Sequence, residues 1–126
     1  MKQRTKGQVE AQISEAIIKF ELEYMGRGPA ETRTYIIKDM IFVRLKAVFT
    51  PAEEQLVKSP EGADLVKKAR MQLLENSRVL LEKMISEITS CDVISMHTDI
   101  STKTGERVII FTLNKNLEEA LSRKKD

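Results

Sequence analysis

The chain has 126 residues, 41% hydrophobic and 32% charged, and its 21 Lys and Arg against 19 Asp and Glu leave a formal net charge of +2. That length suits one domain with a real core, and so even a charge balance speaks against a surface-wide polyanion partner. The single cysteine, Cys91, excludes an internal disulfide and a cysteine zinc cage, and no apolar run reaches the roughly 18 residues that a membrane span requires.

Residues 7 to 25 read as a helix, with Val9, Ile13, Ala16, Ile17, Phe20 and Tyr24 recurring at three- and four-residue spacing. Ile18, Leu22 and Met25 form a second apolar row, wider than one sheet covers, which points to another helix or a second subunit. Gly26-Arg27-Gly28-Pro29 stops the helix, Gly26 taking the left-handed cap position. Strands are expected near 33 to 38 and 41 to 48. In the second, Ile41, Val43, Leu45 and Ala47 share one face and Phe42, Arg44, Lys46 and Val48 the other.

Thr50-Pro51-Ala52-Glu53 is a capping box with proline at the first helical position. Ser59-Pro60 then opens a helix expected to run to Thr89, buried along Val66, Ala69, Leu73, Ser77, Leu80, Met84 and Ile88. Such a helix would extend roughly 45 Å, so it must bend or project toward a partner. Leu65, Leu74, Leu81 and Ile85 widen its apolar face. Strands near 92 to 100 and 107 to 113 make a last hairpin, and Asn114-Lys115-Asn116-Leu117 opens a terminal helix. The fold class expected is α+β. A helix-strand-strand-helix arrangement occurs twice, with a long central helix and a four-stranded antiparallel sheet covered by helices on one face. Residues 7–121 form the domain, between a basic tail at 1–6 and a charged one at 122–126.

Alternation places Ile94, Met96 and Ile100 in the core and Ser95, His97 and Asp99 on the open face, with Arg44 and Lys46 beside them. His97, the only histidine, stands two residues from Asp99, about 7 Å between α-carbons, close enough for an ion pair. The candidate ligand or partner-contact set is His97 and Asp99, with Ser101, Thr102 and Arg107 as anion-binding donors, Arg44 and Lys46 on the sheet, and Arg27 between its glycines. Thr102-Lys103-Thr104-Gly105 suits a turn with Gly105 at positive φ. Val108, Ile109, Ile110 and Phe111 are apolar on both faces, so part of the open face calls for a cover, a dimer mate or a partner protein. No catalytic signature, metal-ligand cluster or cofactor motif stands out.

Several segments together resemble the MpsC-domain family: Gly7-Gln8-Val9-Glu10 to Phe20, Tyr24-Met25-Gly26-Arg27-Gly28-Pro29, Tyr35-Ile36-Ile37-Lys38-Asp39-Met40, Thr50-Pro51-Ala52-Glu53, and His97-Thr98-Asp99-Ile100-Ser101-Thr102-Lys103-Thr104-Gly105-Glu106-Arg107. The resemblance spans about residues 7 to 117. The family name refers to a cation-translocating, membrane-potential-generating system, whose other parts are associated with uptake of dissolved inorganic carbon. The resemblance implies a soluble accessory or regulatory protein rather than the translocator, and carries over no catalytic residue.

The expected function is therefore a non-enzymatic, homodimeric accessory protein, cytoplasmic and peripheral to the membrane through a transport-system partner. One alternative is a nucleic-acid-binding module using the basic open face, against which stand the small net charge and the lack of a clear exposed aromatic pair for stacking. The other is a small enzyme or ligand site at His97 and Asp99.

Overall fold

The computed structural model describes residues 4–123. Thr5 caps α1 (Lys6–Met25) through a reciprocal box with Gln8, and Gly26 ends it at φ +87°. Then come β1 (Glu31–Ile37), β2 (Met40–Lys46), α2 (Pro51–Leu56), α3 (Pro60–Asn76), α4 (Arg78–Thr89), β3 (Val93–Ile100), β4 (Arg107–Leu113) and α5 (Leu117–Arg123). The fold is α+β, with the sheet antiparallel throughout in the order β1-β2-β4-β3. Lys2, Lys124 and Lys125 of the expected tails lie outside the described residues. Arg4 bonds Gln12 and the Ile88 carbonyl, and Lys6 pairs with Glu118 at 2.9 Å, so these two bases anchor the start of α1.

The core lies between one face of the sheet and the helices. Ile36, Ile41, Val43, Leu45, Ile109 and Phe111 supply its floor, and Ile13, Ile17, Leu74, Leu81 and Ile85 its roof, all fully buried. Alternation along β2 stops at Ala47, whose φ of +56° turns the chain so that Val48 and Phe49 are both buried. Ala47 and Val48 therefore leave the strand pattern expected of them. Ile94 also departs from it. A bulge between Val93 and Ser95 shifts the register of β3 and turns Ile94 outward, 66% exposed, while Met96 and Ile100 stay inside.

The expected long helix is two. The hydrogen-bond ladder breaks at Ser77 (φ −99°, ψ 7°), and the bend keeps both halves over a sheet that a straight rod would overshoot. The buried stripe runs through Val66, Arg70, Leu74, Leu81 and Ile85, one position away from the expected Ala69, Leu73 and Leu80. Leu74, Leu81 and Ile85 are thus core. Leu65, Leu73, Val79 and Leu80 face outward, as do Leu22 and Tyr24 on α1.

Gly62 is fixed by a close approach. A Cβ there would lie 1.9 Å from the Leu56 carbonyl oxygen, and its N–H donates to the Ser59 cap at 3.0 Å. Gly62→Ala must push α2 off α3. The expected loss is roughly 1–3 kcal/mol, seen as a melting temperature lower by roughly 5–10 °C. An unchanged melt would refute this packing.

Both sheet edges are guarded. On β1 the outward Ile36 N–H donates to Glu10 Oε2 (2.8 Å), and the Thr34 hydroxyl meets Ser14 (2.7 Å). On β3, Arg78 donates to the Met96 carbonyl at 3.5 Å and Lys67 pairs with Asp99 at 3.4 Å. Edge-to-edge pairing with another chain is thereby discouraged, and the uncovered part of the sheet is its second face.

Candidate functional site: the open face of the sheet

Register arranges the open face in cross-strand rows. Ile37, Met40, Thr112 and Ser95 form one, Tyr35, Phe42, Ile110 and His97 the next, and Arg33, Arg44, Val108 and Asp99 the third. Alternation puts Glu31, Lys46 and Glu106 beyond them. The middle row is an apolar spine. The Tyr35 and Phe42 rings meet edge to face at 6.5 Å, Tyr35 is 46% exposed, and Ile37 and Met40 continue the patch. An aromatic pair, Tyr35 exposed and Phe42 half-buried, therefore sits on the open face where none was expected. Ion pairs rim the patch: Arg33–Glu31 at 2.9 Å and Arg44–Glu106 at 2.5 Å, which hold Glu31 below the usual carboxylate range and Arg33 and Arg44 above their ordinary values.

The expected His97–Asp99 pair does not form. The hydrogen-bond partner of the imidazole is Ser95, at 3.1 Å from Nε2, and the Ser95 hydroxyl also bonds Thr112. The Asp99 carboxylate accepts from the Ile100 N–H (2.8 Å) and faces Lys67. Those contacts, the backbone bond first, hold it below the ordinary aspartate value. Ser101 and Thr102 belong to the turn, where Ser101 Oγ accepts from the Thr104 N–H. Gly105 sits there at φ +73° against the Phe49 ring. Asp99, Ser101, Glu106 and Val108 line a hollow of about 150 Å³. Arg27 is spent on the Phe49 carbonyl (2.6 Å), and Lys46 lies 3.8 Å from Glu31.

Arg107 is not on this face. It pairs in register with Leu45 and Ile100, points into the covered side and is fully buried. The parity of β4 explains the difference. Val108 to Phe111 are apolar throughout, so hydropathy does not tell which alternate set faces the helices.

Between the sheet and the helices Arg107 joins Glu21, Arg70 and Glu53 in a charge cluster that apolar periodicity does not reveal. Arg70 forks onto Glu53 at 2.6 and 2.9 Å, donates to the Val48 carbonyl at 2.9 Å, pairs with Glu21 at 3.5 Å and lies 5.6 Å over the Phe49 ring. Arg107 donates to Thr98 Oγ1 at 3.3 Å, while its Nε and Nη2 and both Glu21 oxygens have no hydrogen-bond partner within the described residues. Burial raises the Glu21 carboxyl despite the Arg107 and Arg70 charges, and pushes Arg107 down to about 10. The available signal was Ile17-Glu21-Met25 and Val66-Arg70-Leu74, each a charge set between apolar residues four apart. Among the described residues, no group of three or more His, Cys, Asp and Glu could hold a metal ion, and no helix is long and apolar enough to cross a membrane.

Comparison with known proteins covers nearly all of this body. The chain is 42% identical over 120 residues to the uncharacterized protein YbcI of Bacillus subtilis (strain 168), spanning 95% of this chain and 97% of that one. It is 24% identical over 110 residues to the uncharacterized protein YrhF of the same organism, spanning 86% and 89%. No solved structure matches it. Residues 5–115, from the Thr5 cap past the end of β4, match the family described as the Na+-translocating membrane potential-generating system (MpsC), and the chain belongs to that family.

Proposed function

We propose that the protein is a non-enzymatic accessory or regulatory component of a cation-translocating membrane system, working through protein–protein contacts. The observation that carries this is the open sheet face. The Tyr35–Phe42–Ile110 spine is solvent-facing between guarded edges, which suits face-on burial by protein. The family description supports the membrane system. Placement is cytoplasmic, and contact with the membrane runs through a partner protein.

A photocrosslinking residue at position 35 tests this in cells, with the exposed helix position Glu61 as control. Adducts to a second copy or to a cation-transport subunit, specific to position 35 and lost on Phe42→Glu, are expected. Equal labelling from both positions would sink the reading.

A second reading rests on the exposed Tyr35 and the half-buried Phe42, with Arg33 and Arg44 beside them, as a platform for stacked bases. Glu31, Glu106 and Asp99 on the same face weigh against it. A salt-sensitive mobility shift with single-stranded RNA, lost in Tyr35→Ala, would favour it over the first.

A further inference from the structure

We infer that the open face is covered by a second copy of this chain, packed sheet to sheet about a two-fold axis parallel to the strands; this rests on the reading of that face as a protein interface. Charge distribution carries the inference. The β1–β2 half of the face holds Arg33, Arg44 and Lys46 against Glu31, a sum of +2, while the β3–β4 half holds Asp99 and Glu106, a sum of −2 with His97 neutral. Lys67 reaches Asp99 from around the edge and offsets one of those negative charges. The face is thus two-signed across the strands and apolar through its middle.

Two aligned sheets bury such faces against each other at about 10 Å, and a homodimer interface must be self-complementary. A two-fold axis parallel to the strands keeps the rows and reverses strand order. It stacks β1 on β3 of the second copy and β2 on β4. Arg33 then stands over Asp99 of the other copy and Lys46 over Glu106, each pairing made twice, while Phe42 meets Ile110 and Tyr35 meets His97. A two-fold axis across the strands instead exchanges the outer rows, setting Arg33 over Ile37 and Arg44 over Met40, so neither gains a counter-charge from the other copy, whereas the axis along the strands leaves Arg44 alone of the two without one, over Val108. The pairs that Arg33, Arg44 and Asp99 make within one copy are exposed, hold them weakly and leave them able to re-partner.

Four strands of about seven residues span roughly 19 by 23 Å, less than the ~800 Å² per partner of a standard interface. The dimer is therefore expected to be weak and concentration-dependent.

Sedimentation of the purified full chain over a concentration series, with circular dichroism to confirm folding, tests the inference. Arg33→Glu and Asp99→Arg should each weaken dimerisation roughly tenfold, and the double variant should recover most of it. A monomer at every concentration would overturn the second copy. If position 35 still crosslinks a different protein in cells, the interface reading survives that failure. A dimer in which both substitutions are silent, or in which their combination does not recover, would overturn the two-fold arrangement.

Discussion

Arg70→Met is expected to cost roughly 3–5 kcal/mol, a large share of the stability of an ordinary domain. Arg70 is 1% exposed and is the hub of its surroundings. Its loss deprives Glu53 of a two-pronged partner, leaves the Val48 carbonyl without its side-chain donor, and removes the cation paired with Glu21. α2 buries no residue of its own, so the Arg70–Glu53 fork is a main tie between it and the core. Arg70→Lys should recover only part of the loss, since an ammonium cannot reproduce the fork. Acid should reveal the same tie. Burial alone would raise the Glu53 carboxyl, yet the Arg70 bond, with the Thr50 cap, holds it below its ordinary 4.5. A depressed carboxylate stabilises the fold above its unfolded pKa and loses that contribution as pH falls through the folded value. The parent should therefore lose stability below about pH 4.5 more steeply than Arg70→Met. Urea melts at pH 7 and pH 4 measure both effects. A loss under about 1 kcal/mol at pH 7 would contradict the role given to Arg70.

Local signals in the sequence located most of the elements, because caps and breakers act over three or four residues. Thr50 with Glu53, Ser59 with Pro60, and Gly26 each end or start a helix where expected. The errors share another cause. Apolar spacing has no place for Arg70 or Glu21 in a buried stripe, and it sets the stripe of α3 one position off, through Leu73 instead of Leu74. Whether a charged side chain lies inside depends on partners distant in sequence. Glu21 and Arg107 come from opposite ends of the chain, and only the fold buries them in one charge cluster. The same holds for the open face. His97 and Asp99 share a face as alternation requires, but Ser95 and Lys67 decide what they bond. Tyr35 and Phe42 become neighbours only through the β1–β2 register. Spacing along one strand gives the face of a residue, and the other strands and helices give its partners.

Arg107 and Glu21 should behave as a coupled pair whose joint removal costs far less than either loss alone. Each is fully buried, and each has polar atoms without a partner in the described residues, so each depends on the other's charge more than on hydrogen bonds. Arg107→Met leaves the Glu21 carboxylate facing only Arg70, and Glu21→Met leaves two guanidinium groups sharing Glu53. About 3 kcal/mol is expected for each single change. The double replacement removes both charges, fills the space with apolar volume and keeps the Arg70–Glu53 fork, so its cost should fall below about 1 kcal/mol or become a gain. Acidity separates the partners further. Because burial raises the Glu21 carboxyl above its ordinary 4.5, the folded chain takes up that proton before the unfolded chain does. The Glu21 contribution is therefore fully present below pH 4.5 and is lost as pH rises through the folded value. Arg107→Met removes the stronger of the two arginine charges that restrain this rise, so the variant should regain stability on mild acidification above pH 4.5, a recovery absent when Glu21 is also Met. Denaturant melts of the four proteins at pH 7 and pH 5 complete the cycle. Additive losses near 6 kcal/mol in the double variant would show that the two charges act independently, against the coupling expected of two opposite charges buried together.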